Sequence, residues 1–429
     1  MKNERIEKFQ NYMDTYSRSV YHAVEGLRLQ MEANGYTRLD EGKKWDLVPG
    51  GKYYLTRGGS AILAFRIPHA DPVGFLLSAS HSDHPTFKIK ENGELESKYI
   101  RLATEKYGGM LMAPWLDRPL SVAGRVLVET EHGAKSQLLD IDRDLLLIPN
   151  VAIHMNRAAN DGYAYNAACD TIPLVGGLQS KGKLQQLLEE TAGGRILGHD
   201  LFLYIRQPST VWGVENEFLS SAALDDLGCA WTCTQGFLEA EESASIPVLC
   251  VFDSEEVGSS SVQGAFSKLL IDVLERICEA RNLDLNCLLS QSFMMSADNA
   301  HAQHPNHPEY ADANNAPIVN EGIVLKFNAA LSYTTDGVAA AVLRTACKKA
   351  NVPVQTFYNR ADLRGGSTLG NISLNNVSVP TADIGLPQLA MHSCFETAGV
   401  KDVEYMIQAM KAYYSSTLTV SVDGEYTLN

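Results

Sequence analysis

The sequence predicts an α/β sandwich built on a mainly parallel sheet and interrupted by a β-rich insertion. Three observations lead there. Two runs, PVGFLLSAS at 72–80 and IPVLCVFD at 246–253, are apolar almost throughout, the pattern of strands covered on both faces. Amphipathic helical patterns alternate with such runs, which builds helices onto a sheet. Between 85 and 221 the pattern changes to short strand-like pieces broken by Gly, Pro and charged turns.

In chain order, Ile6, Phe9, Met13, Tyr16, Val20, Ala23 and Leu27 recur at steps of three and four, which predicts one long amphipathic helix. SAILAFRI at 60–67 reads as a strand, followed by the buried strand at 72–80. The insertion offers YGGMLMA, SVAGRVLVET and LLLIPNVAIH as strands and KGKLQQLLEE at 181–190 as a helix. Helical patterns return at 262–280, 337–350 and 403–414, with VPTADIG strand-like before the last. A chain of 429 residues is long enough for two domains. The expected division is 1–84 plus 222–429 for one and 85–221 for the other.

Composition narrows the function classes. Hydrophobic residues make up 45% and charged residues 20%, as in a globular protein, and 36 basic against 51 acidic residues give −15. That excess repels nucleic acid and anionic membrane surfaces, so neither is an expected partner. The opening MKNERIEKFQ has no apolar signal region, and runs such as VGFLLSA fall far short of the ~20 residues of a membrane helix. Eight cysteines lie without CxxC pairs. Cys229 and Cys233 share a helix face, as buried thiols or a ligand pair. A reduced, cytoplasmic protein is expected.

Five segments carry the chemistry. His81-Ser82-Asp83-His84 follows a buried strand, and in α/β sheets ligand sites lie beyond the carboxyl ends of strands. Asp83 can accept a hydrogen bond from the His81 ring and fix the tautomer that binds metal; alternatively both are polar residues ending a strand. Leu224-Asp225-Asp226-Leu227-Gly228 starts a helical pattern, where Asp225 is a ligand or a cap. Asp253-Ser254-Glu255-Glu256 follows the strand ending at Phe252. Adjacent carboxylates repel unless a cation or shared proton compensates, so one can bind metal while the other faces its water; a solvated pair is the plainer reading. Ser296-Ala297-Asp298-Asn299 precedes His301, His304 and His307, but Pro305 and Pro308 break any helix that would align them, which favours Asp298. The fifth is Gln388-Leu389-Ala390-Met391-His392. Together they offer imidazole and carboxylate donors without thiolate, a set that suits zinc, manganese or cobalt. An odd carboxylate bridging two ions is the mark of paired-metal sites.

The ordered motifs HSDHP, LDDLG, DSEEVGS, SADNAHAQHPN and QLAMHS resemble the M18 family of metalloaminopeptidases, best known from aspartyl aminopeptidase, over nearly the whole chain. The resemblance implies an α/β/α sandwich catalytic domain with an inserted β-rich dimerisation domain, and dodecameric assembly. It implies two zinc ions per subunit, His81 and Asp298 on one, Glu256 and His392 on the other, Asp225 bridging. Glu255 is implied as the general base and Asp83 as the orienter of His81. In the family a histidine from a neighbouring subunit completes the site, and IPNVAIHMNR nominates His154. Short peptides are the implied substrates, with acidic N-terminal residues favoured and a broader or neutral preference as the alternative, and Lys326, Arg360 and Arg364 are candidate pocket cations or ordinary surface cations. There are departures: Ser82 stands where Thr is common, and in ADLRGGSTLG Ala361 and Arg364 replace a common Asn and Pro. Two rival readings are a metallohydrolase of small acylated amino acids and a catalytically silent assembly protein that would be expected to lose metal ligands.

Overall fold

The computed structural model of the protein describes residues 4–363 and 365–429. Its central sheet has nine strands, in spatial order Thr37–Arg38, Lys52–Arg57, Ala61–Arg66, Ser245–Phe252, Gly74–His81, Phe293–Ala297, Thr381–Gly385, Ile323–Phe327 and Val354–Tyr358. The strands Ser245–Phe252, Gly74–His81, Phe293–Ala297 and Thr381–Gly385 run parallel at its middle. Antiparallel pairings lie on either side.

Successive side chains on a strand point to opposite faces, and the core divides accordingly. Leu76, Leu249 and Val251 pack into one apolar cluster with the helices Glu4–Tyr16, Val20–Ala33, Leu224–Glu239, Gly337–Ala350 and Val400–Tyr414. Phe75, Leu77, Ala79, Val248, Cys250 and Phe252 pack into a second cluster with Leu269–Arg281. This is the expected α/β/α sandwich, and the Gly74–His81 strand at its centre is buried throughout.

Residues 86–205 supply a separate six-stranded antiparallel sheet in the order Gly133–Asp140, Leu120–Thr130, Ile196–Ile205, Thr86–Glu96, Ile100–Tyr107 and Leu174–Gly176. It has its own apolar core, including Phe87, Trp115, Val122, Leu184 and Leu201. A five-stranded sheet joins Phe218–Ser221 to Glu396–Gly399, Pro387–Leu389 and Ala300–His301. Among the described residues no helix is long and apolar enough to cross a membrane.

Several local expectations change. The single N-terminal helix is two, Glu4–Tyr16 and Val20–Ala33, because Ser19 caps the second by accepting from the His22 amide. The apolar phase continues across the break, so periodicity alone could not reveal it. The helix expected from 262 begins only at Leu269, since Gly264 and Ser267 turn the chain and leave Val262 and Phe266 exposed. YGGMLMA is not a strand: the Tyr107 strand ends at Gly108, whose φ of 77° leaves the extended region. LLLIPNVAIH contributes isolated bridges at Leu146 and Leu147 and then a loop.

Candidate metal centre

The parallel strands converge their carboxyl ends on one place. His81 closes its strand opposite Phe252, three residues before Glu255, and Asp298 follows Phe293–Ala297 on the other side. Asp225 enters beneath them from the start of the Leu224–Glu239 helix, where its backbone (φ −86°, ψ 109°) is not helical and the Asp225–Asp226 peptide is cis. His392 comes from the turn after Pro387–Leu389 with a left-handed φ of 64°. Asn299 ties two of these segments, donating to Leu224 O at 2.6 Å.

His81 is buried, and its Nδ1 lies 3.0 Å from the main-chain carbonyl of Asp83 and 3.4 Å from Asp83 Oδ1. A carbonyl has no proton to give, so Nδ1 donates and Nε2 presents a lone pair. That Nε2 lies 3.7 Å from Asp225 Oδ1, while Asp225 Oδ2 lies 3.4 Å from His392 Nε2. The two oxygens of one carboxylate thus face two different imidazoles. His392 Nε2 also sits 3.3 Å from Glu256 Oε1. The donor atoms of His81, Asp225, Asp226 and Asp298 lie within 4.8 Å of one another, as do those of Asp225, Glu256 and His392, and of His81, Glu255 and Glu256.

Asp83 organises the glutamate turn. Its carboxylate accepts the Glu255 amide at 3.1 Å, the Glu256 amide at 3.2 Å and the Tyr107 hydroxyl at 2.8 Å. Ser254 just before them is left-handed (φ 66°), and Glu256 comes near Asp225 and His392 while Glu255 lines the pocket. Left-handed non-glycine residues cost about 1–3 kcal/mol each. Ala223, Ser254, Ala390 and His392 all adopt this conformation beside the cluster.

The electrostatics call for cations. Burial pushes Glu255 up to about 8 against the opposing charge of His81, with Asp298 and Glu256 adding to the rise. Glu256 is raised to about 7 and Asp298 to about 6, burial again leading. Asp225 Oδ1, Asp226 Oδ1 and Glu256 Oε1 are buried without hydrogen bonds. Each such orphan costs roughly 1–3 kcal/mol, more when charged, and three in one cluster fit divalent ions.

A cavity of about 310 Å³ opens over the cluster, lined by Glu255, Asp298, His301, Lys326, Tyr333, Phe357, Thr368 and His392 among others. Lys326 is 2% exposed, and its ammonium donates to Asp298 O at 2.7 Å and Asn299 O at 3.2 Å. Arg360 is outside this lining and is held by Asp362 at 2.6 Å and by the Glu309 carbonyl. Arg364 lies outside the described residues. His154 is exposed on the loop after Ile148 and is not part of this chain's pocket lining. The three clustered histidines are all exposed; His301 lines the pocket, and His307 pairs with Glu309 at 2.9 Å. Cys229 and Cys233 are buried core thiols. Sequence reading passed over Asp226, whose doubled-Asp motif was the available signal, and Tyr107 and Glu396, which carried none.

A sandwich that gathers two imidazoles, bare carboxylates and a paired glutamate at one open pocket is the scaffold of a metal-dependent hydrolase. The family described as Aminopeptidase I zinc metalloprotease (M18) matches residues 14–414. The probable M18 family aminopeptidase 2 of Clostridium novyi (strain NT) is 42% identical over 415 residues, covering 93% of this chain and 96% of that one. The solved structure of an Ape4 and Nbr1 complex is 33% identical with a TM-score of 0.92, covering 96% of this chain and 85% of its own. That of the S. cerevisiae mApe1 dodecamer is 27% identical with a TM-score of 0.84, covering 95% of each. The chain belongs to the M18 family: it is an aminopeptidase of the zinc metalloprotease class.

Proposed function

We propose that the chain removes acidic N-terminal residues from short peptides, using two zinc ions bridged by Asp225, and that it works as a self-assembled oligomer. The observation that carries the two-ion reading is Asp225 itself, whose oxygens face His81 at 3.7 Å and His392 at 3.4 Å. His81 and Asp298 would hold one ion, Glu256 and His392 the other. Asp226 lies within the first group, its Oδ2 accepting the His81 amide at 3.2 Å and its Oδ1 buried without a hydrogen bond.

Held by these residues, two such ions would supply a water of lowered pKa and a Lewis acid for the scissile carbonyl. Glu255 takes the proton of the attacking water and returns it to the leaving amine. Asp83 holds Glu255 in place through its amide and holds His81 in the metal-binding tautomer. Carboxylates around the pocket would bind the substrate's free amine, which favours trimming of ends over internal cleavage. Comparing free with N-acetylated dipeptides separates this from hydrolysis of acylated amino acids, and full retention of the ligand set speaks against a silent assembly protein.

Lys326 is the proposed partner of the substrate's side-chain carboxylate, because burying that group unpaired is costly. Two of its three N–H donors go to carbonyls, the ammonium also lies 3.8 Å from Asp298 Oδ1, and the residue lines the pocket. The expected result is a higher kcat/KM for aspartyl than for leucyl or lysyl substrates. The ratio should fall at least about tenfold in Lys326→Gln, since losing one partner of a buried charge pair costs about 2–5 kcal/mol. A leucyl or lysyl preference in the wild type refutes the acidic assignment; an unchanged ratio in the variant removes Lys326. Arg364→Ala submits the other candidate to the same measurement.

The 85–221 segment is the proposed dimerisation domain, inserted between 1–84 and 222–429, with His154 completing a partner's site as a donor to the oxyanion. Val151, Ile153 and Met155 flank His154 and are 52%, 48% and 83% exposed, apolar surface that a second copy would cover. Dodecamers are the expected assembly, as in the S. cerevisiae mApe1 structure. Light scattering with a parallel activity assay should find activity confined to the oligomer. A fully active monomer sinks this part of the reading.

A further inference from the structure

Glu396 is 1% exposed and commits both carboxylate oxygens to main-chain amides of two residues distant in sequence. Oε2 accepts from Asp225 N at 2.9 Å, and Oε1 accepts from His392 N at 2.7 Å. These are the residues whose side chains approach to 3.4 Å in the cluster. We propose that Glu396 is a positioning residue of the metal centre, fixing the backbones of Asp225 and His392 so that their side chains share an ion. The inference rests on the two-ion reading above.

The fold explains why this clamp is needed and how it is built. Asp225 stands in the first turn of its helix, where an amide has no acceptor within the ladder, and a buried amide requires one. His392 is a non-glycine residue in left-handed backbone, a conformation that persists only where its surroundings impose it. Glu396 itself pairs opposite Ser221 in the antiparallel ladder with Phe218–Ser221. That register delivers its carboxylate to the chain four residues further on, at Asp225, and to the turn four residues before it, at His392. One side chain thus couples two ligand-bearing segments that share no helix or strand.

A glutamine at 396 keeps the shape but offers one acceptor oxygen and an NH2 that cannot accept, so one of the two amides loses its partner. The test strips the purified protein of metal, titrates zinc against a competing chelator, and records thermal unfolding of the metal-free form together with kcat and KM. For Glu396→Gln, zinc affinity should fall about 10–100-fold, while metal-free stability falls only by the modest cost of one unpaired buried amide. Its kcat should fall more than KM rises at limiting zinc and recover when zinc is in excess. Wild-type zinc affinity overturns the proposal, as does a loss confined to metal-free stability, which marks an ordinary structural group. If Glu396→Gln does not fold, Glu396→Asp carries the same titration: weaker zinc binding supports the proposal and wild-type binding overturns it. Asp225→Asn and His392→Ala run alongside. If they too bind zinc as the wild type does, the two-ion reading has failed; if they lose zinc and the Glu396 variants do not, only the clamp has.

Discussion

Glu255→Gln should keep its full metal complement and lose roughly 10²–10⁴-fold in turnover, the range typical of removing a general base. The two glutamates are neighbours, yet the turn separates them. Glu256 lies 3.3 Å from His392 and within reach of Asp225, whereas Glu255 lines the open pocket with Asp298 and His81. The amide of Glu255 is pinned by Asp83, so a glutamine there should hold the same position without being able to accept a proton. KM should change little, because the lost interaction is made as the proton moves. Metal analysis by atomic emission is the control. A Glu255→Gln protein short of an ion would exchange the roles of Glu255 and Glu256, and a nearly active one would remove Glu255 from proton transfer.

Asp225→Asn is expected to disturb both ions, with activity falling at least about 10²-fold. The argument is geometric: each oxygen of this carboxylate faces a different imidazole, and Oδ1 is buried without a hydrogen bond. An asparagine replaces one oxygen with a donor group, which repels a cation and points an N–H at one of the histidines. His392→Ala, by contrast, removes a ligand from one side of the bridge and should mainly empty one position. Equilibrium dialysis followed by metal analysis distinguishes the two patterns. If Asp225→Asn kept full metal and near-normal activity, Asp225 would be no more than the polar start of its helix.

Much of the site was legible before any coordinates. His81, Asp225, Glu255, Glu256, Asp298 and His392 each stand in a short polar segment beside a strand or helix end, and the structure gathers all six. Each segment alone also allowed a plainer reading, a cap, a strand end or a solvated pair, and it was the order of the motifs and the family they resemble that gave the residues their roles. Other features were invisible because periodicity reports the phase of a helix and not its continuity. The break between Tyr16 and Val20 is of this kind, since the apolar stripe runs through it. Arg360 illustrates the opposite error: a cation near a motif attracts attention, yet its charge is spent on Asp362 two residues away.

Strands apolar on both faces already specify a layered α/β architecture, and the motifs specify the kinds of donor available to a metal. Which donors meet is set by the folded arrangement of strands and turns. Glu396 approaches Asp225 across 171 residues, and Asp83 reaches the Glu255 amide across 172. Such contacts follow from strand register and crossover, which no local pattern encodes. Lys326 shows the same limit: in sequence it is one more basic residue ending an apolar strand, and burial at 2% beside Asp298 is what sets it apart. Hydrophobic patterning is a local property of the chain, whereas the meeting of charges in a desolvated pocket is a property of the whole fold.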